Sequence, residues 1–236
     1  MIPSCVATKN SFDMPILKTA VTVLFSIVLF TMPLSQVHAK SPVASSSATK
    51  QEQILILAFG DSLIAGFGLE QERGFTRQLE IALADLGKVV KVHNAGVTGD
   101  TTQGARTRLS WVLASLPRKP DLVIVELGAN DFLRGTSPVH ARKNLDSILQ
   151  ILTDQQHLVL LAGMKPPRSL GKAYVDAFDA IYPDLAKKYD IPLDPHFLEG
   201  LIGKPELLQR DGMHPNAQGA RYIARRLAPV IVSLLP

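Results

Sequence analysis

Ile54-Leu55-Ile56-Leu57-Ala58-Phe59-Gly60-Asp61-Ser62-Leu63 is the stretch on which the architecture turns. Its apolar run has no polar break and stops at a glycine. A run this short is one strand long, and the missing alternation means that both of its faces are covered. Such strands belong to parallel sheets with helices packed on either side. The residues downstream repeat the theme. Gly74 to Leu86 puts Phe75, Leu79, Ala82, Leu83 and Leu86 on one helical stripe. Val89 to Val92 predicts a second strand, followed by a helix carrying Leu109, Val112, Leu113 and Leu116. Asp121 to Leu127 predicts a third strand, and residues 139 to 154 a helix with Leu145, Ile148, Leu149 and Leu152 inward. Leu158 to Leu161 predicts a fourth strand, Ala173 to Tyr189 a helix, and Ala217 to Leu235 the closing helix. Ile191-Pro192-Leu193 reads as a short edge strand, the place where a sheet tolerates proline. Strand and helix alternate throughout, which predicts an α/β fold with a mostly parallel sheet.

The residues before this domain read differently. Lys9 and Lys18 are basic, Ala20 to Leu34 is apolar, and Val37-His38-Ala39 is a small-residue cleavage site. Residues 1 to 39 therefore read as a signal peptide. The apolar stretch is shorter than the roughly 18 residues of a spanning helix, so no stable membrane span is expected after cleavage. Residues 40 to 51 are rich in Ser, Ala and Thr and read as a flexible leader. Residues 52 to 236 then make one domain. The only cysteine, Cys5, lies in the signal. A chain cut after Ala39 has no thiol for a disulfide, a thiolate metal site or a nucleophile. The hydrophobic content is 46% and the net charge a mild +4. Arg221, Arg225 and Arg226 read as a solvated helix face, and no nucleic-acid signature is present. No cofactor is expected, because neither G-x-G-x-x-G nor G-x-x-x-x-G-K-[ST] occurs.

In open parallel sheets the site lies at the carboxyl ends of the strands. Ser62 falls there, directly after the first strand and at the start of a helix whose N-terminus favours an oxyanion. The bland alternative is that Ser62 only caps that helix. Outside the signal the histidines are His93, His140, His157, His196 and His214. Two of them follow an aspartate by three residues, as Asp154/His157 and Asp211/His214. His157 precedes a strand and so lies at the amino edge. His214 lies between the last strand and the last helix, at the edge that Ser62 occupies. Ser62, His214 and Asp211 then supply a nucleophile, a base and an orienting acid for attack on an acyl carbon. The second strand runs into Gly99 and the third into Asn130, a backbone N–H and a side-chain amide suited to holding an oxyanion. A tight turn at Gly99 and an Asx-turn at Asn130 are the bland alternatives.

Gly60-Asp61-Ser62-Leu63, Gly99, Gly128-Ala129-Asn130-Asp131 and Asp211-Gly212-Met213-His214 resemble, in order, the four blocks of the SGNH (GDSL) hydrolases. The resemblance covers about residues 52 to 235. Within the family, Asn94 to Thr102, Ala180-Ile181-Tyr182-Pro183 and Asp211 to Asn216 are similar to segments of the bacterial periplasmic arylesterase, acyl-CoA thioesterase and lysophospholipase group. This implies a three-layer α/β/α, flavodoxin-like fold with a five-stranded parallel sheet. It implies Ser62 as nucleophile, His214 as base, Asp211 as its partner, and Ser62 N–H, Gly99 N–H and the Asn130 amide as oxyanion hole. Asp61, Asp131, Phe132 and Leu133 would touch substrate, with the loop after Asn130 bordering an acyl groove. Phe132 stands where the group often has glycine, which implies a stiffer loop or a shorter groove. The implied reaction is hydrolysis of small-molecule aryl esters, acyl thioesters or lysophospholipids through an acyl-serine. The implied protein is a periplasmic monomer without metal or cofactor. The α/β-hydrolase elbow Gly-x-Ser-x-Gly is absent. Competing readings are a carbohydrate O-acetyl esterase and a metallohydrolase using Asp61, Asp131, Asp211 and His214. A third is a non-catalytic periplasmic lipid- or glycan-binding protein.

Overall fold

β1 (Ile54–Gly60) forms because its apolar side chains have no other stable place than between two layers; Ile56 to Phe59 are fully buried. The structure is a computed structural model and describes residues 53 to 235. The signal-peptide and leader readings lie outside the described residues. The remaining elements are α1 (Ser62–Ala65), α2 (Phe75–Asp85), β2 (Val90–Gly96), α3 (Thr102–Ser115), β3 (Leu122–Glu126), α4 (Ala129–Leu133), α5 (Pro138–Asp154), β4 (Val159–Ala162), α6 (Lys172–Asp179), α7 (Ile181–Tyr189), β5 (Leu193–Asp194) and α8 (Ala217–Leu234).

The five strands make one parallel sheet in the order β2-β1-β3-β4-β5. Helices cover it in two groups, α2 against α8 and α3, α5 and α7 together. Leu145, Ile148, Leu149 and Leu152 of α5 are fully buried. Each such side chain contributes about 1.5–3 kcal/mol relative to exposure. The register sets Gly60 beside Gly96 and Glu126, and Ala162 beside Glu126 and Asp194. All five strands thus end at one level. The chain reverses direction across the sheet between β1 and β3, and a crevice opens at such a switch point. No helix among the described residues is long and apolar enough to cross a membrane.

Three boundaries differ from expectation. β2 runs on to Gly96, because Asn94 to Gly96 pair with Ala58 to Gly60 of β1. The single helix expected over Ala173–Tyr189 is two, α6 and α7. Pro183 has no N–H, and its ring collides with the carbonyl four residues back in a continuous helix. In the first turn of α7 it meets neither problem. β5 begins at Leu193, since Pro192 cannot donate to the ladder; its carbonyl accepts from Leu161 N–H at 3.0 Å.

Candidate active site

Asp61, not Ser62, caps α1: its Oδ1 accepts from Leu63 N–H at 3.0 Å. Ser62 is therefore the first helical residue, with an N–H that has no acceptor inside the helix. The turn is tight against the sheet. A Cβ on Gly96 would lie 2.1 Å from Ala65 N, so only glycine lets β2 approach α1 this closely.

Ser62 Oγ lies 2.9 Å from His214 Nε2, across most of the domain's sequence. On the far side of the ring, His214 Nδ1 lies 2.6 Å from Asp211 Oδ2. Asp211 Oδ1 accepts from the backbone N–H groups of Met213 and His214 at 2.9 and 3.0 Å. Partial burial pushes this carboxyl up, but those two N–H groups and the His214 ring outweigh it and hold the pKa at about 2. An ionised Asp211 accepts the Nδ1 proton, which leaves the Nε2 lone pair facing the hydroxyl. Gln209 holds this loop in place. Its N–H donates to His214 O at 2.8 Å, and its Nε2 donates to Phe67 O and Pro215 O at 2.6 and 3.0 Å. The Phe67 ring, in turn, packs 4.6 Å from the imidazole.

The other two loops converge on the same serine. Gly99 has φ +80°, the left-handed region that glycine enters without strain, and its carbonyl accepts from Arg134 Nη2 at 2.6 Å. Asn130 lies in α4 rather than in an Asx-turn, and its Nδ2 donates to Asp61 Oδ2 at 3.1 Å and to Asp100 O at 3.0 Å. Arg108 ties the layer together, donating to Asp100 Oδ2, Ala95 O and Gly60 O at 2.7, 2.9 and 2.9 Å.

Two expected substrate contacts are corrected. Asp61 is 0% and Asp131 1% exposed, and both spend their oxygens inside the protein. Asp131 accepts from Thr102 N–H at 2.8 Å and Thr102 Oγ1 at 2.7 Å, which joins α3 to α4. Burial pushes its carboxyl up, against those two bonds. Asp61, Asp131, Asp211 and His214 therefore do not converge as the metallohydrolase reading requires. Among the described residues no group of three or more His, Cys, Asp or Glu is placed to hold a metal ion.

Phe132 and Leu133 do face an open space. A cavity of about 270 Å³ opens beside Ser62, Asn130 and His214 and is walled by Phe132, Leu133, Met164, Leu198, Leu201, Ile202 and Met213. Phe132 is buried and packs edge-on against Phe178 at 5.4 Å, so its ring forms a wall and not a plug. His196 also lines the cavity, 3.3 Å from Glu199, with burial pushing its ring pKa down. His157 lies before β4, at the opposite edge.

Sequence reasoning missed Glu126, Arg108, Arg134, Gln209, Thr102 and His196. Glu126 left a trace, an acid closing an otherwise apolar strand. Arg108 and Gln209 left none, because most of their partners are backbone carbonyls, which no residue type marks, and Gly60 O and Phe67 O are distant in the chain.

A family model described as GDSL-like Lipase/Acylhydrolase matches residues 58–222. An arylesterase of Vibrio mimicus is 38% identical over 189 residues, 80% of this chain and 94% of that protein. A thioesterase 1/protease 1/lysophospholipase L1 of Escherichia coli (strain K12) is 37% identical over 180 residues, 75% of this chain and 84% of that protein. The crystal structure of AlinE4, an SGNH-hydrolase family esterase, superposes with TM-score 0.67 at 46% identity, covering 78% of this chain and 98% of that one. With a family model spanning most of the described residues and relatives this similar over nearly their whole length, the chain belongs to the GDSL-like lipase/acylhydrolase family.

Proposed function

We propose that this protein is a serine hydrolase that cleaves carboxylic esters and thioesters, with Ser62, His214 and Asp211 as its triad. The observation that carries the reading is the relay Ser62 Oγ to His214 Nε2 at 2.9 Å and His214 Nδ1 to Asp211 Oδ2 at 2.6 Å, beside an apolar cavity. His214 takes the Ser62 proton as Oγ bonds to the acyl carbon. The carbonyl oxygen becomes an oxyanion, held by Ser62 N–H, Gly99 N–H and the Asn130 amide. Asn130 keeps one hydrogen on Asp61 Oδ2, and its other hydrogen, on Asp100 O at 3.0 Å, is shared with the oxyanion. His214 returns the proton to the departing alcohol or thiol, which leaves an acyl-serine. A water deprotonated by His214 then attacks, and the carboxylic acid departs with Ser62 restored. Base catalysis supplies roughly 10²–10⁴ in rate and one oxyanion donor about 10²–10³.

The cavity bears on the substrate. At about 30 Å³ for a group the size of water or methylene, its 270 Å³ takes a chain of roughly nine heavy atoms. An acetyl group would leave most of that apolar space empty, which favours acyl chains over carbohydrate O-acetyl groups. The activities of the relatives, arylesterase and thioesterase with lysophospholipase, point the same way. The basic and apolar N-terminal pattern supports export to the periplasm, where the protein would act as a monomer on small-molecule esters.

A panel of aryl esters from acetyl to palmitoyl, with an acyl thioester and a lysophospholipid, tests the substrate class. Medium acyl chains are expected to be cleaved fastest, and a fluorophosphonate is expected to label Ser62 and end turnover. Near-normal hydrolysis by purified Ser62→Ala protein would leave the reading without its nucleophile.

A further inference from the structure

Glu126 closes β3 inside the protein, 0% exposed, and neither carboxyl oxygen has an ordinary hydrogen-bond donor. The strand register puts it beside Gly60, and the next residue, Asp61, is as deeply buried. Glu126 Oε2 would lie 2.9 Å from a Cβ built on Gly60, so its carboxyl points at the turn that Asp61 begins, and the two groups act on each other electrostatically. Two carboxylates in contact in a dry interior repel strongly, so at most one of them carries charge. The hydrogen bonds decide which. Asp61 is used as an acceptor on both sides, from Leu63 N–H at Oδ1 and from Asn130 Nδ2 at Oδ2. An acceptor on both oxygens suits the carboxylate, and Glu126, faced by no donor but the Asp61 backbone N–H, suits the acid.

We propose that Glu126 is a neutral carboxylic acid that donates its proton to the Asp61 carboxylate, and that this pair positions both the Ser62 turn and the Asn130 amide. The inference rests on the triad reading above. Glu126 is a positioning residue: it touches neither substrate nor reacting atoms, and it acts through Asp61. A neutral Glu126 leaves one negative charge at the base of the site. That charge anchors the cap of α1 and holds one amide hydrogen of Asn130, which fixes the plane of the amide and so the direction of the second hydrogen, on Asp100 O, that the oxyanion would share. An ionised Glu126 would repel the cap and loosen both.

The surroundings agree. Burial pushes Glu126 well above the usual carboxylate range, and the Asp61 charge pushes it further. Burial also raises Asp61, and the bonds from Leu63, Glu126 and Asn130 and the facing His214 hold that rise to about 6. Tyr182 faces the pair as a neutral phenol, its hydroxyl donating to Leu127 O at 2.8 Å. Asp131 is held by Thr102, and the Arg108 guanidinium is committed to Asp100 and two carbonyls.

The direct test is an infrared difference spectrum, parent minus Glu126→Gln, at neutral pH. The C=O stretch of a protonated buried carboxyl is expected to appear in the difference. Its absence would overturn the proposal, whatever the enzyme's activity. Kinetics test the positioning role. Glu126→Gln keeps an N–H donor toward Asp61 and is expected to hold kcat near the parent value. Glu126→Leu removes the donor and is expected to lower kcat about 10- to 100-fold with little change in KM, and to slow fluorophosphonate labelling of Ser62 equally. Equal activity in both variants, or equal loss in both, would refute the role. Should Glu126→Leu not fold, the spectrum and the Glu126→Gln rate decide. Hydrolysis that survives in Ser62→Ala while the band persists would sink the triad reading and leave the acid pair standing.

Discussion

Gly96→Ala inserts one methyl group between the end of β2 and the single turn of helix that presents Ser62. The new Cβ would lie 2.1 Å from Ala65 N and 2.7 Å from Ala65 Cα and Ile64 C. Contacts under 3.0 Å are essentially never seen for a real Cβ, and backbone atoms cannot swing aside as a side-chain end can. Relief therefore requires α1 and β2 to part by about 1 Å, at an overpacking cost of about 1–3 kcal/mol. Gly96 is not in the left-handed region, so alanine adds no backbone strain and the effect is purely steric. Moving α1 carries Ser62 with it and stretches the 2.9 Å contact to His214 beyond hydrogen-bonding range. A misplacement of about 1 Å lowers a rate by about 10²-fold. Initial rates on an aryl ester should show that loss in kcat, and fluorophosphonate inactivation should slow by the same factor, because both depend on the same hydroxyl. Melting temperature is read alongside. A variant with the parent's kcat and melting temperature would refute the idea that the β2–α1 approach sets the nucleophile's position.

Two further outcomes are expected. Asp211→Asn presents an amide to His214 Nδ1, drives the ring proton to Nε2 and removes the base, so kcat should fall about 10⁴-fold while Ser62 stays in place; a loss under tenfold would contradict this. Stability should also depend on pH through Glu126. Its folded pKa is raised, whereas the unfolded chain ionises near ~4.3. The stability tied to this group is thus complete below about pH 4 and is lost as pH rises toward the folded value, at about 1.4 kcal/mol per unit. Asp61, raised to about 6, adds a shorter slope of the same sign. Denaturant titrations of Glu126→Gln should then show a gain over the parent that grows above about pH 5 and vanishes below about pH 4. Parallel curves across that range would count against a buried neutral acid.

Much of the fold was legible locally. A strand covered on both faces leaves an uninterrupted apolar run, so Ile54 to Phe59 announces β1 wherever it sits. Helical stripes such as Leu145, Ile148, Leu149 and Leu152 announce a buried face in the same way. The candidate triad was legible too, because the residue after a parallel strand sits at the site edge whatever else the chain does. Topology alone then separated His214 from His157.

Contacts between distant segments carry no such local mark. Asp61 and Asp131 look like exposed site acids in a loop motif, yet Thr102, Leu63 and Asn130 consume their oxygens. Whether a carboxyl faces substrate or supports a turn depends on which donor arrives from elsewhere, and periodicity does not encode that. The Arg108 bonds to Gly60 O and Ala95 O, and the placing of Glu126 beside Gly60 at the foot of the Asp61 turn, exist only once β1, β2 and β3 lie side by side. Residue type and strand order decide where chemistry collects; the packed neighbours decide which groups are charged and which way they point.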